Sequence, residues 1–220
     1  MLKMPSCDII LIVQDRGGDI VAQIPLKDAF QKARAKLAKA DPAILSEQTG
    51  IAWSDANRQF SFSSLGKRYT VSYPEGEVRE DNGREASPTF ALLTLHYLLS
   101  GPTLPLGEWI SFKEIPGASI YQGPFEARTI GRLFRKVSQL VDLAKACEKL
   151  DGRKMPGGDL AFRFELFPRL PVGLVCWEGD DEFPPSGNML FDANAKSFLT
   201  PEDYAVIGEY IIGQLLKELT

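Results

Sequence analysis

GGDLAFRFELFPRLPVGLVCW, residues 157–177, is the stretch that decides the fold. Leu160, Phe162, Phe164 and Leu166 recur at every second position, and Val172, Leu174 and Cys176 do so after them. A period of two places each set on one face of a strand. PRLP (168–171) stands between the two runs as a turn, so the segment reads as an antiparallel β-hairpin. Gly157-Gly158-Asp159 at its start is not a phosphate loop. It lacks the following Lys-Ser/Thr pair and leads into a strand, where a phosphate loop leads into a helix.

The chain downstream of the hairpin is acidic. EGDDEFPPSGNMLFDANAKSFLTPED (178–203) opens with Glu178, Asp180, Asp181 and Glu182 beside Trp177. An EF-hand counted from Asp192 fails, because Lys196 takes the fifth position, Ser197 the sixth and Asp203 the twelfth. Asp180 and Asp181 would ligate a hard cation together only from a turn, since adjacent residues on a strand point apart. The cluster therefore reads as a solvated loop, as a lip around a ligand or, in third place, as a cation site. TPED (200–203) is a capping box for a closing helix over 201–219, with Thr200 as cap, Pro201 first and Asp203 third. Capping and the helix dipole account for Thr200, Glu202 and Asp203 without a ligand.

Upstream, Ile130, Leu133, Phe134, Val137, Leu140, Val141 and Ala144 form a helical stripe that predicts one helix over 129–149. Arg128, Arg132, Arg135 and Lys136 lie off that stripe, as a solvated face or as a dock for an anion or an acidic partner. GPTLPLGEWISFKEIPGASIYQGPFEAR (101–128) is a long loop rich in glycine and proline. Its Trp109, Ile110, Phe112, Ile115, Tyr121 and Phe125 argue for order. PTFALLTLHYLLS (88–100) follows the cap Ser87 and is apolar on nearly every face, as expected of a buried central helix. IAWSDANRQFSFSSLGKRYTVSYPEGEV (51–78) alternates around turns at 55–57 and 65–67, which predicts a three-stranded meander. Leu26 to Ala40 reads as an amphipathic helix stopped by Asp41-Pro42, and DIILIVQD (8–15) as a short strand ended by Gly17-Gly18.

These elements give an α+β fold, with antiparallel sheet from the N-terminal meander and the C-terminal hairpin packed around about four helices. At 220 residues the chain reads as a single domain, with an N-terminal portion over 1–86 and an α+β core over 87–220. The net charge of −4 disfavours nucleic acid and anionic membrane as partners. No apolar run is long enough for a transmembrane helix, and Ile9 to Val13 is too short for a signal peptide. Cys7, Cys147 and Cys176 are odd in number and form no CxxC, which points to the reducing cytoplasm. Residues 27–39 and 126–154 are basic and 178–209 acidic, a pattern that fits either an internal match or a polarised surface.

His96 is the only histidine. Alone it excludes a two-histidine metal site. In an apolar helix it reads as a hydrogen-bonded core residue, with axial ligand or general base as the alternatives. GxSxG, HExxH and Rossmann signatures are all missing.

Five stretches taken together, LLTLHYLLSG (92–101), GEWISFKEIPG (107–117), GDLAFRFELFPRLPV (158–172), WEGDDEFPPSGNMLFD (177–192) and FLTPED (198–203), resemble a domain-of-unknown-function family found mostly in anaerobic bacteria and archaea. The resemblance is strongest from about residue 88 to 210. Some relatives carry an added four-cysteine iron–sulfur module, for which this chain lacks the cysteines. The resemblance implies anaerobic one-carbon or corrinoid biology, a corrinoid or other tetrapyrrole as the cofactor by analogy, and an iron–sulfur or corrinoid protein as partner.

The leading expectation is a ligand- or cofactor-binding module. It would pair the aromatic loop, Trp109, Lys113, Glu114 and Tyr121, with the lip of Trp177, Asp180, Asp181, Glu182 and Phe183, and set His96 beneath them. It requires Trp109 and Trp177 to lie close together. A rival is a small-molecule enzyme that uses His96 with a carboxylate such as Glu114 or Asp180, in a cleft that brings the two within hydrogen-bond reach. A third reading is an interaction domain that docks through the basic helix and the acidic tail.

Overall fold

A computed structural model describes residues 11–14, 20–24 and 26–219. Cys7 and Gly17-Gly18 lie outside the described residues. β1 (Leu11–Gln14) and β2 (Ile20–Ile24) pair antiparallel. α1 (Leu26–Leu37) and α2 (Pro42–Thr49) follow. Asp41-Pro42, expected only to stop a helix, also starts one. The Asp41 carboxylate accepts the Ala43 N–H at 2.8 Å and Pro42 takes the first turn, where its missing N–H costs nothing.

The meander has four strands, one more than expected, in sequence order: β3 (Ala52–Ser54), β4 (Gln59–Ser64), β5 (Lys67–Ser72) and β6 (Val78–Glu80), the last a short strand that pairs back on β5. Ser64 pairs with Lys67, so Leu65-Gly66 is a two-residue hairpin loop, and both of its residues have positive φ. That geometry matches the twist of the flanking strands. Leu65 tolerates it with its side chain buried in the core.

α3 (Pro88–Leu98) runs through the middle of the molecule, with Ser87 capping the Phe90 N–H. It meets, through Phe167, a five-stranded antiparallel sheet in the order β7-β11-β10-β9-β8. The strands are β7 (Trp109–Ser111), β8 (Arg153–Lys154), β9 (Leu160–Phe167), β10 (Leu170–Trp177) and β11 (Ser186–Asp192). Phe167 pairs with Leu170, so the β9–β10 turn is Pro168-Arg169 alone, tighter than the PRLP expected. β11 lies in a stretch whose composition suggests only acidic loop. Its Met189 and Phe191 are buried, and it sits between β10 and β7.

The helix expected over 129–149 is broken into pieces. α4 (Gln122–Arg128), α5 (Ile130–Phe134) and α6 (Leu140–Lys149) succeed one another, and α7 (Pro201–Glu218) is the last element. Thr129 leaves helical geometry at ψ −96° while its hydroxyl donates to the Phe125 carbonyl at 2.7 Å. Gln139 is extended. Leu133, Val137, Leu140 and Leu143 are buried on both sides of the second break, so the stripe persists where the helix does not. Val141, counted in that stripe, faces out. The long loop at 101–128 also carries structure of its own, namely β7, two short 3-10 turns at 112–114 and 118–121, and α4.

One hydrophobic core runs from the meander to the five-stranded sheet. Phe90 and Tyr97 of α3 stack on Phe167 at 5.7 and 4.4 Å, and Phe62 of the meander meets Phe167 at 5.6 Å. Offset aromatic contacts of this kind add about 0.5–1.5 kcal/mol each beyond area burial.

A cleft around His96 and Asp203

Tyr97 and His96 are neighbours on α3 but face different surroundings. Tyr97 is fully buried, and its hydroxyl donates to the Thr49 carbonyl at 2.7 Å while accepting the Arg169 N–H at 3.0 Å. Burial pushes that hydroxyl's pKa up, so it stays a phenol. Arg169, in the β9–β10 turn, donates in addition to the Gln48 carbonyl at 2.7 Å.

His96 lies at the edge of the core, its side chain 33% exposed. Its Nδ1 is 2.7 Å from Oδ1 of Asp203, whose side chain is 11% exposed. A carboxylate only accepts, so Nδ1 carries the proton, and with the ring neutral Nε2 is an acceptor. Among the described residues Nε2 has no hydrogen-bond partner. Asp203 is fixed from the other side. Its Oδ2 accepts the Thr200 hydroxyl at 2.9 Å, and its own N–H donates to the Thr200 oxygen at 3.2 Å. The capping box thus forms as expected, but it does not exhaust Asp203. The third residue of α7, which closes its capping box, also orients the imidazole of α3. Glu202 likewise does more than complement the helix dipole, accepting the Tyr121 hydroxyl at 2.6 Å.

Imidazole and carboxylate open onto a cleft of about 650 Å³ between α1, α3 and residues 198–203. Leu26, Ala29, Leu92, Leu99, Phe198 and Leu199 make its apolar wall, with Lys32 and Lys36 of α1 beside them. A second hollow of about 460 Å³ lies along α7 and contains Tyr121, Arg128, Arg132 and Glu209. The two share Leu26, Leu92, Glu202 and Asp203.

The other residues named from the sequence fall elsewhere. Trp109 pairs with Asp192 at one end of β11, and Trp177 with Ser186 at the other. Six extended residue steps separate the two positions, about 20 Å. The aromatic loop and the acidic lip therefore do not form one site, and the expectation that paired them is corrected. Lys113 is exposed on the turn after β7. Glu114 beside it accepts the Ser111 hydroxyl at 2.6 Å and the Ser111 N–H at 2.7 Å, bonds that hold its carboxyl below the usual range. Asp180 accepts the Phe183 and Glu182 amides at 2.7 and 2.9 Å, with the same effect on its pKa. Asp181, Glu182 and Phe183 are exposed in that turn. Neither Glu114 nor Asp180 is the carboxylate at His96; that residue is Asp203, a role its position in a capping box concealed.

Asp192 is buried and binds backbone, accepting the Leu106 and Gly107 amides at 2.8 and 2.7 Å. Burial pushes the Cys176 thiol up to about 12 and raises Cys147 as well, so neither is a nucleophile at neutral pH. Among the described residues no group of three or more His, Cys, Asp or Glu is placed to hold a metal ion. Among the same residues no helix is long and apolar enough to cross a membrane.

A family model described as a domain of unknown function, DUF3786, matches residues 41–214, most of the chain. The chain belongs to the DUF3786 family. The match begins at the cap of α2 and ends within α7, so the DUF3786 region contains both large sheets, α3 and the His96–Asp203 pair. It reaches further back than the resemblance by motifs and takes in the whole meander. It leaves out α1, which supplies one wall of the cleft. No curated protein and no solved structure matches the chain.

Proposed function

We propose that this chain is a small-molecule-binding module whose ligand lies in the cleft between α1, α3 and the start of α7. The observation that carries the reading is the 2.7 Å bond from His96 Nδ1 to Asp203, which leaves Nε2 as an oriented acceptor beside an apolar wall. Ligand sites are mostly apolar with a few fixed polar groups, and this cleft has that make-up. The ligand class that fits is an amphipathic molecule. Its body lies on Leu92, Leu99 and Phe198, a hydroxyl or amide N–H donates to His96, and any acidic group lies toward Lys32 and Lys36.

A second reading is an enzyme for which His96 is the general base. The same bond favours it, because Asp203 would stabilise the imidazolium formed when Nε2 takes a proton. The cytoplasmic, anaerobic one-carbon setting, with a corrinoid or an iron–sulfur partner, stays with the resemblance, and the reading needs neither.

A fragment library screened by ligand-observed NMR tests the proposal, with the single histidine's Cε1–H as the protein reporter. Fragments with an apolar body and a hydroxyl head are expected to shift that signal. They are expected to lose binding in Ala29→Trp, which fills the cleft from α1. Fragments that bind Ala29→Trp unchanged, or a library that never moves the His96 signal, would contradict it. His96→Gln separates the two readings, since the amide keeps a hydrogen bond to the ligand and cannot act as the base.

A further inference from the structure

The turn after β10 is unlike the rest of the surface. Every residue from Trp177 to Ser186 is exposed, with Phe183 at 67% and Trp177 at 44%. Val141 of α6, 57% exposed, joins Phe134, Val137, Phe183, Pro184 and Pro185 around a hollow of about 550 Å³. Glu178 and Asp180 stand at its rim, and Asp181 and Glu182 follow in the same exposed turn. Among the described residues none of these four carboxylates is in an ion pair. The charge asymmetry of the sequence is thus a polarised surface at this turn, while elsewhere Arg128 of the basic stretch pairs with Glu209 of the acidic one at 3.6 Å.

The turn is built to hold its shape. Asp159 accepts the Glu178 amide at 2.8 Å, Asp180 accepts those of Glu182 and Phe183, and the Asp180 N–H returns to the Phe183 carbonyl at 2.9 Å. A Cβ on Gly179 would stand 2.7 Å from the Pro185 nitrogen, so the turn closes only around glycine. Phe183 is therefore held out by a fixed turn, beside a hollow whose apolar side chains alternate with Ser138, Gln139, Glu178 and Asp180.

We propose that this lip docks a cationic segment of another protein, with an aromatic or branched aliphatic side chain seated in the hollow between Phe183 and Val141. Apolar surface gives such a contact its strength, and the unpaired carboxylates select the sign of the partner. A second copy presenting the same face would bring two acidic rims together, which repels. The second copy's α1 carries exposed lysines, but its Ala33 and Leu37 are buried and its Leu26 and Phe30 are packed against its own core, so it has no anchor as exposed as Phe183 to offer. Nucleic acid and anionic lipid meet the same repulsion.

Fluorescence anisotropy with three labelled synthetic peptides tests this on the full chain. One peptide alternates Lys with Leu and Phe, one has Glu in place of Lys, and one has Ser in place of the apolar residues. The Lys/Leu/Phe peptide is expected to bind and the other two are not. Phe183→Ser and Val141→Ser, both exposed substitutions that leave the fold intact by circular dichroism, are each expected to weaken binding roughly tenfold, the size typical of losing an interface anchor. Raising the salt is also expected to weaken it. Equal binding of the Glu peptide or of the Lys/Ser peptide would overturn the proposal. So would Phe183→Ser binding as tightly as the parent, or a dimer in sedimentation that Phe183→Ser dissolves.

Discussion

His96 and Tyr97 are consecutive on α3, and a step of about 100° around the helix separates their fates. Tyr97 has its ring stacked at 4.4 Å on Phe167 and its hydroxyl both donating and accepting inside the protein. His96 has one nitrogen held by Asp203 and the other turned to no partner among the described residues. The difference teaches how to sort polar residues of an apolar helix. A group whose whole bonding capacity is met internally holds the fold, and one with capacity left beside a cleft is available to a ligand.

The largest expected effect lies on the Tyr97 side. Phe167→Ala removes the ring on which Tyr97, Phe90 and Phe62 all pack, and should destabilise by about 3–5 kcal/mol in denaturant unfolding. Tyr97→Phe keeps the stack but strands the Thr49 carbonyl and the Arg169 N–H, at a cost of about 1–3 kcal/mol. His96→Ala loses one edge hydrogen bond and should cost about 1 kcal/mol or less by the same measurement. A His96→Ala cost above that of Tyr97→Phe would make both residues structural and end the comparison.

The smallest effect concerns the Asp180 turn, which is solvent-exposed and outside both clusters. The Phe183 and Glu182 amides depress its folded pKa. Its contribution is therefore complete above the ordinary aspartate value of about 3.9 and fades as pH falls through the lower folded value. Carboxyl NMR of Asp180 should titrate below that value, together with the Phe183 amide. Titration at the ordinary value would show the turn open in solution.

Much of this fold is legible in the chain's local patterns. The α+β class, the β9–β10 hairpin, the meander and the buried α3 all follow from apolar periodicity, and the α7 start follows from its capping box. What local pattern misses is long-range. β11 hides behind Pro184-Pro185 because its alternation at Met189 and Phe191 is short and its neighbours are acidic. The split of 129–149 hides because the stripe runs across the breaks, and neither Thr129 nor Gln139 looks like a breaker. The separation of Trp109 from Trp177 depends on β11 lying between their strands, which no local pattern reports. His96 stands out by its rarity, yet its partner does not. Asp203 sits 107 residues away in sequence, and its place in a capping box is explanation enough until the two helices are brought together.

Everything proposed for the cleft depends on Asp203 fixing the His96 tautomer and leaving Nε2 open. Long-range ¹H–¹⁵N correlation of the imidazole measures this without interference, because the chain has one histidine. With the ring neutral, the expected result is a proton on Nδ1, a bare Nε2, and loss of that preference in Asp203→Ala. A ring protonated at Nε2, or a tautomer mixture that Asp203→Ala does not change, would contradict it.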